Sequence, residues 1–166
     1  MAVDHLLALG HTRIGHLTGS GGSARHRRIA YEQRLQEAGL APVVTGAGAE
    51  TNEPDGYRAA TTLLDEHPDV TAVFAANDTM ALGAFAALGE RGLRVPQDVS
   101  LVGFDNSPLA SSHTLDLTTV DDRGAEVGSA VTRSLLSRID DPTLPPRTTL
   151  VEPSLVVRSS TAAARR

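Results

Sequence analysis

The chain has 166 residues, 40% of them hydrophobic, no cysteine, a formal net charge of -5 and a pI near 5.6. This is long enough for one domain with a buried core, and it excludes disulfides and thiolate metal sites. The acidic balance argues against a general binder of phosphate backbones, which needs clustered Lys and Arg. No apolar run is long enough to span a membrane. The N-terminus lacks the basic start and apolar core of an export signal, so a cytoplasmic location is expected.

Val3 to Leu9 has the apolar spacing of the last turns of a helix, with Gly10 as its stop, and Arg13 to Thr18 reads as a strand. Gly19 to Ser23 is a glycine-rich turn leading into a helix with the stripe Ile29, Tyr31, Leu35 and Ala38, closed by Gly39. Such a turn can cradle an anion at a helix N-terminus. Here no Walker lysine follows and Ala24-Arg25 break the G-x-G-x-x-G spacing, so a surface loop is the simpler reading. Arg25, Arg27 and Arg28 lie in the first turns, where the helix dipole disfavours positive charge, so an interaction elsewhere is expected to hold one of them.

Val43 to Thr45 reads as a short strand, Gly46 to Asn52 as a polar loop, and Pro54 to His67 as a helix with Tyr57, Ala60, Leu63 and Leu64 on its apolar side. Pro68 ends it. The stretch Val70 to Asn106 then organises the chain. Thr71 to Ala75 and Val99 to Phe104 are β-rich runs without alternation, as expected of parallel strands covered on both faces. Between them Ala81, Ala84, Phe85 and Leu88 recur at helical spacing, Asn77 and Asp78 supply N-cap chemistry, and Gly92 is the stop. In such a unit the residues just past the strand ends share one edge of the sheet, where open α/β proteins place ligands. Asn77, Asp78, Asp105 and Asn106 all fall there. Each also has a plainer reading as a helix cap or turn former.

Leu117 to Val120 is a further β-branched run, and Arg123 to Ile139 an amphipathic helix with Val127, Val131, Leu135 and Ile139 spaced by four. Pro142, Pro145 and Pro146 break the chain before an extended segment, Thr148 to Val157. Catalysis has no visible apparatus: the six histidines form no H-E-x-x-H, and no G-x-S-x-G elbow is present. His16 and His113 read as structural or solvent-facing, and neither a cofactor nor a metal is called for. An α/β enzyme that binds a sugar or nucleotide is the main rival class, and a secreted solute-binding protein would need an export signal.

These residues resemble the effector-binding region of the lactose-repressor (LacI/GalR) family of transcription regulators. The resemblance is carried by HLLALGHTRIGHLTG at 5 to 19, SARHRR at 23 to 28, TAVFAANDTMALGAFAALGERGLRVPQDVSLVGFDN at 71 to 106, LTTV at 117 to 120 and PSLVVRSST at 153 to 161. It implies an α/β fold built on a parallel sheet, like one three-layer lobe of the type I periplasmic binding proteins, in which a small ligand closes between two lobes. By the resemblance residues 1–121 form the second lobe. Residues 122–147 form a returning helix and Pro-rich linker whose stripe would pack on a first lobe without a counterpart here, and residues 148–166 a closing strand and tail.

The resemblance assigns ligand contact to Arg27, Asn77 and Asp105, with Ser23, Thr51 and Asp122 as further candidates; Thr51 stands where relatives often carry a stacking aromatic. A carboxylate accepts from paired hydroxyls and a guanidinium donates in a fixed fork, so sugars or nucleosides are the implied effectors. DNA contact would belong to a helix-turn-helix with no counterpart in these residues. An apolar stripe on the returning helix without its partner predicts a homodimer. The alternative is a remnant that serves only as an association module.

Overall fold

In the computed structural model, which describes residues 1–165, the elements run α1 (Ala2–Ala8), β1 (Ile14–Leu17), α2 (Gly22–Glu37), β2 (Val43–Thr45), α3 (Glu53–Glu66), β3 (Ala72–Ala75), α4 (Asp78–Glu90), β4 (Ser100–Phe104), β5 (Thr118–Asp121), α5 (Gly124–Asp140) and β6 (Ser154–Val156). One sheet has the order β2-β1-β3-β4-β5-β6, parallel throughout except that β6 runs antiparallel to β5. The winding reverses at β1, whose neighbours are β2 and β3. Ligand crevices of open α/β sheets lie beside such a switch point, outside the carboxyl ends of the strands.

The strands lack alternation because both sheet faces are covered. Val73 and Ala75 of β3 join Leu63, Ala84 and Leu88 of α3 and α4 in one core. Ala72 and Phe74 join Leu6, Tyr31 and Leu35 of α1 and α2 in the other. Helices α3 and α4 cross almost backbone to backbone. A Cβ on Gly83 would collide with the Glu53 carbonyl and the Tyr57 nitrogen, and one on Gly56 with the Met80 backbone. Only glycine permits that approach.

Two expectations for the helices need correction. Helix α2 buries Ala24, Tyr31 and Leu35, with Arg27 half-buried on the same side, whereas Ile29 and Ala38 are exposed. Positions 24, 27, 31 and 35 follow the helical period; Ile29, two residues past Arg27, lies about 200° round the axis. Helix α4 is capped by Asn77 alone, whose side chain accepts from the Met80 nitrogen at 2.8 Å. Asp78 is not a cap but a fully buried residue inside the first turn.

Helix α5 starts at Gly124 after Arg123, which has left-handed φ 59°, and buries none of its residues. Val131, Leu135 and Ile139 are 61%, 59% and 65% exposed, so the apolar stripe does face outward. Of the extended segment expected from Thr148, only Ser154–Val156 pairs as a strand. No described helix is long and apolar enough to cross a membrane.

Candidate ligand-binding rim

Register carries the strand ends to a common edge. Ala72 pairs with Ser100 and Phe74 with Val102, so β3 and β4 end side by side, with Asn77 following the end of one and Asp105 the end of the other. Arg27 reaches this edge from α2, which follows β1. Its Nη1 donates to the Ala76 carbonyl at 2.7 Å and its Nη2 to Asp105 Oδ1 at 3.5 Å. Its guanidinium lies 3.6 Å from the centre of the Phe104 ring, a cation over the negative face of an aromatic. Arg27 is thus the arginine held against the helix dipole by outside contacts. Arg28 pairs with Glu32 at 2.7 Å one turn on, and Arg25 is exposed.

Withdrawal from water dominates the electrostatics of this edge. It pushes the Asp105 carboxyl up to about 6, outweighing the attraction of Arg27, and the neighbouring carboxylates Asp78 and Asp122 push the same way. Arg27 is shifted down for the same leading reason, burial, while Asp105, Asp122 and Asp78 oppose the shift.

Asn77 uses both ends of its amide within the fold, because beyond the cap its Nδ2 donates to the Thr51 carbonyl at 3.0 Å. Thr51 therefore meets the rim through its backbone, and its methyl fills the space beside Gly19. Ser23 is exposed in the first turn of α2. Asp122 is exposed beyond β5 and accepts from the Gly124 nitrogen at 3.0 Å. Arg27, Asn77 and Asp105 are gathered on one rim, with Thr51 and Asp122 at its margins.

Asp78 and Asn106, placed at the same edge from the sequence, do different work. The Asp78 carboxylate accepts from the nitrogen and hydroxyl of Ser107 at 2.7 and 2.9 Å and from the Thr119 hydroxyl at 2.6 Å. Asn106 accepts from Arg158 Nη2 at 2.8 Å. Phe104 and Arg158 escaped the sequence reading. Phe104 read only as the last apolar residue of a strand, and Arg158 lies 52 residues from its partner, with no local pattern to mark it.

Arg27 and Phe104 also help to line a groove of about 380 Å³ beside α1 and α2, with Tyr31, Phe74 and Val120 in its wall. Among the described residues no group of three or more His, Cys, Asp or Glu is placed to hold a metal ion. His16 is buried between the rings of Tyr31 and Phe74, with centroids 4.9 Å away on each side, and its Nδ1 donates to the Phe74 carbonyl at 2.8 Å. It is a core residue.

Residues 3–161 match the model of the periplasmic binding protein-like domain. The HTH-type transcriptional regulator MalR of Streptomyces coelicolor is 41% identical over 99% of this chain, which covers 49% of that protein. The chain therefore spans about half the length of the curated relatives it matches. Among solved structures, a LacI-family regulator from Corynebacterium glutamicum superposes with a TM-score of 0.90 at 40% identity, over 97% of this chain and 62% of that one. The regulator CelR in complex with cellobiose gives 0.84 at 33%, over 94% and 49%. The lac repressor dimer bound to operator and the anti-inducer ONPF gives 0.85 at 32%, over 98% and 57%. These relatives are regulators of transcription. By the match over residues 3–161, the mostly parallel six-stranded sheet and these relatives, the chain belongs to the periplasmic binding protein-like family, as the effector-binding region found in LacI-type regulators.

Proposed function

We propose that the rim binds a small polar metabolite of the sugar or nucleoside class. Asp105 accepts from its hydroxyls, Arg27 donates to its oxygens, and Asn77 borders the contact, with Ser23, Thr51 and Asp122 as further candidates. The observation that carries this reading is the bridge made by Arg27, which joins the end of β3 at Ala76 to Asp105 past β4. It sets a guanidinium fork and a carboxylate side by side, the pairing that polyol recognition calls for. The cellobiose bound by the similar regulator CelR supports the sugar class.

The test is a thermal-shift screen against mono- and disaccharides, sugar phosphates and nucleosides, because a ligand that binds only the native state raises the midpoint. A response that Asp105→Ala abolishes supports the site, and one that survives the substitution removes Asp105 from it. A ligand held on one rim keeps much of its surface wet, so weak binding is expected.

A second reading, an association module, is favoured by α5, whose apolar stripe stays largely exposed among the described residues. Pairing of two copies would bury it, and the similar lac repressor is a dimer. The two readings are compatible, and silence across the whole ligand panel would leave association alone.

A further inference from the structure

The turn that carries Asp105 is held from both sides by groups that do not themselves stand on the rim. Asp105 and Asn106 take φ of 105° and 50°, left-handed conformations that L side chains rarely adopt without outside support. On one side the buried Asp78 carboxylate accepts from both donors of Ser107 and from Thr119, tying the turn to β5. On the other, Arg158 donates through Nη2 to Asn106 at 2.8 Å and through Nη1 to the Leu117 carbonyl at 2.7 Å. Asn106 in turn donates to Asp121 at 3.3 Å, and its backbone nitrogen reaches the Thr119 hydroxyl at 3.4 Å.

We propose that Asp78 and Arg158 are positioning residues, a two-sided clamp that holds the turn 105–107 so that the Asp105 carboxylate stays beside Arg27. Strand β4 is shaped for it, because a Cβ at Gly103 would occupy the place of Asp78 Oδ1. A buried carboxylate is tolerated only where donors surround it, and three of the donors around Asp78 come from the turn and from β5 beside it. The bonds from Asp78 and Arg158 end on Ser107 and Asn106, the two residues that follow Asp105.

The inference rests on Asp105 as the ligand acceptor, but its test is read without ligand. Amide hydrogen exchange and the titration of the Asp105 carboxyl are followed by NMR in the full chain, in Arg158→Met and in Asp78→Asn. The expected result is exchange about tenfold faster at Asn106 and Ser107, the loss expected for one net hydrogen bond, with Leu101 and Val102 in β4 unchanged. In Arg158→Met the Asp105 midpoint is expected to fall from about 6 toward the ordinary carboxylate range as the turn opens to water, whereas Asp78→Asn, which removes a neighbouring charge that itself raises Asp105, is read by exchange alone. Unchanged exchange and midpoint, or equal acceleration in turn and strand, would overturn the clamp. Should Arg158→Met fail to fold, Asn106→Gly removes the same bond from the turn side with a residue that takes φ 50° freely. Failure of Asp105→Asn to weaken binding in the ligand screen would strike the rim reading and leave the clamp standing.

Discussion

Arg27 and Asp105 are 78 residues apart in sequence and meet at 3.5 Å, the guanidinium lying over Phe104 as it reaches the carboxylate. Arg27→Met keeps much of the side-chain length and removes the charge and the fork. Ligand affinity should fall about tenfold to a hundredfold, the range for a lost hydrogen bond to a charged group. The Asp105 carboxyl, relieved of the cation that draws it down, should titrate above 6. Calorimetry and carboxyl NMR read the two effects, and a midpoint that stays still in Arg27→Met would contradict the pairing.

The raised carboxyl also fixes a pH dependence. A group that must be ionised to accept two hydroxyls loses that capacity as pH drops through about 6, so binding of an uncharged sugar should weaken from pH 7 to pH 5. For stability the sign is opposite, because the folded state holds this proton more tightly than the unfolded chain, whose carboxyl has its ordinary value of 3.8. Asp105 therefore costs stability as pH rises from about 4 to about 6 and beyond. Asp105→Asn should raise the melting midpoint at pH 7 relative to the parent and lose that advantage at pH 4. A midpoint difference independent of pH would count against it.

His16 works in the other direction. Burial holds its imidazole down at about 4, against an ordinary 6.5, so the neutral ring contributes stability that is whole above pH 6.5 and lost as pH falls toward 4. A gap of that size corresponds to about 3 kcal/mol for a fully buried group. His16→Phe keeps a ring between Tyr31 and Phe74, and should flatten the decline in urea midpoint between pH 6.5 and pH 4. An unchanged decline would assign the acid sensitivity elsewhere.

The close crossing of α3 and α4 admits no side chain. Gly83→Ala places a methyl against the Glu53 carbonyl and the Tyr57 nitrogen, which are backbone atoms that cannot swing aside. The loss should be roughly 1–3 kcal/mol, the range for overpacked sites, read as a lower urea midpoint. Gly89→Ala, on the same helix with open space around it, is the control and should be neutral or better.

The outward stripe of α5 makes association measurable. Each of Val131, Leu135 and Ile139, about 60% exposed, forgoes roughly 1–2 kcal/mol of burial. Sedimentation at high micromolar concentration should show a dimer, and Val131→Asp with Leu135→Asp should return a monomer. A parent chain that is already monomeric there would end that reading.

The layered α/β arrangement was legible in the sequence because local signals agree: β-branched runs, helical spacing and glycine stops each fall at a real boundary. The rim was legible in the same way, since parallel neighbours must end on one edge, and Asn77 and Asp105 follow directly. What stayed hidden depends on distant partners. Asp78 looked like a cap because its true partners, Ser107 and Thr119, are 29 and 41 residues away. Ile29 looked buried because hydrophobicity alone chose the stripe, whereas the inward face of α2 carries Ala24, Tyr31 and Leu35 together with Arg27, which is held there by Ala76, Asp105 and Phe104.

The two outermost strands, β2 and β6, have three residues each and follow Pro42 and Pro153. Margins this brief, with a proline lacking an N–H just ahead of each, offer a neighbouring molecule little backbone to zip onto. Growth of the sheet from copy to copy is thereby discouraged, and any self-recognition by this protein has to be written in side chains.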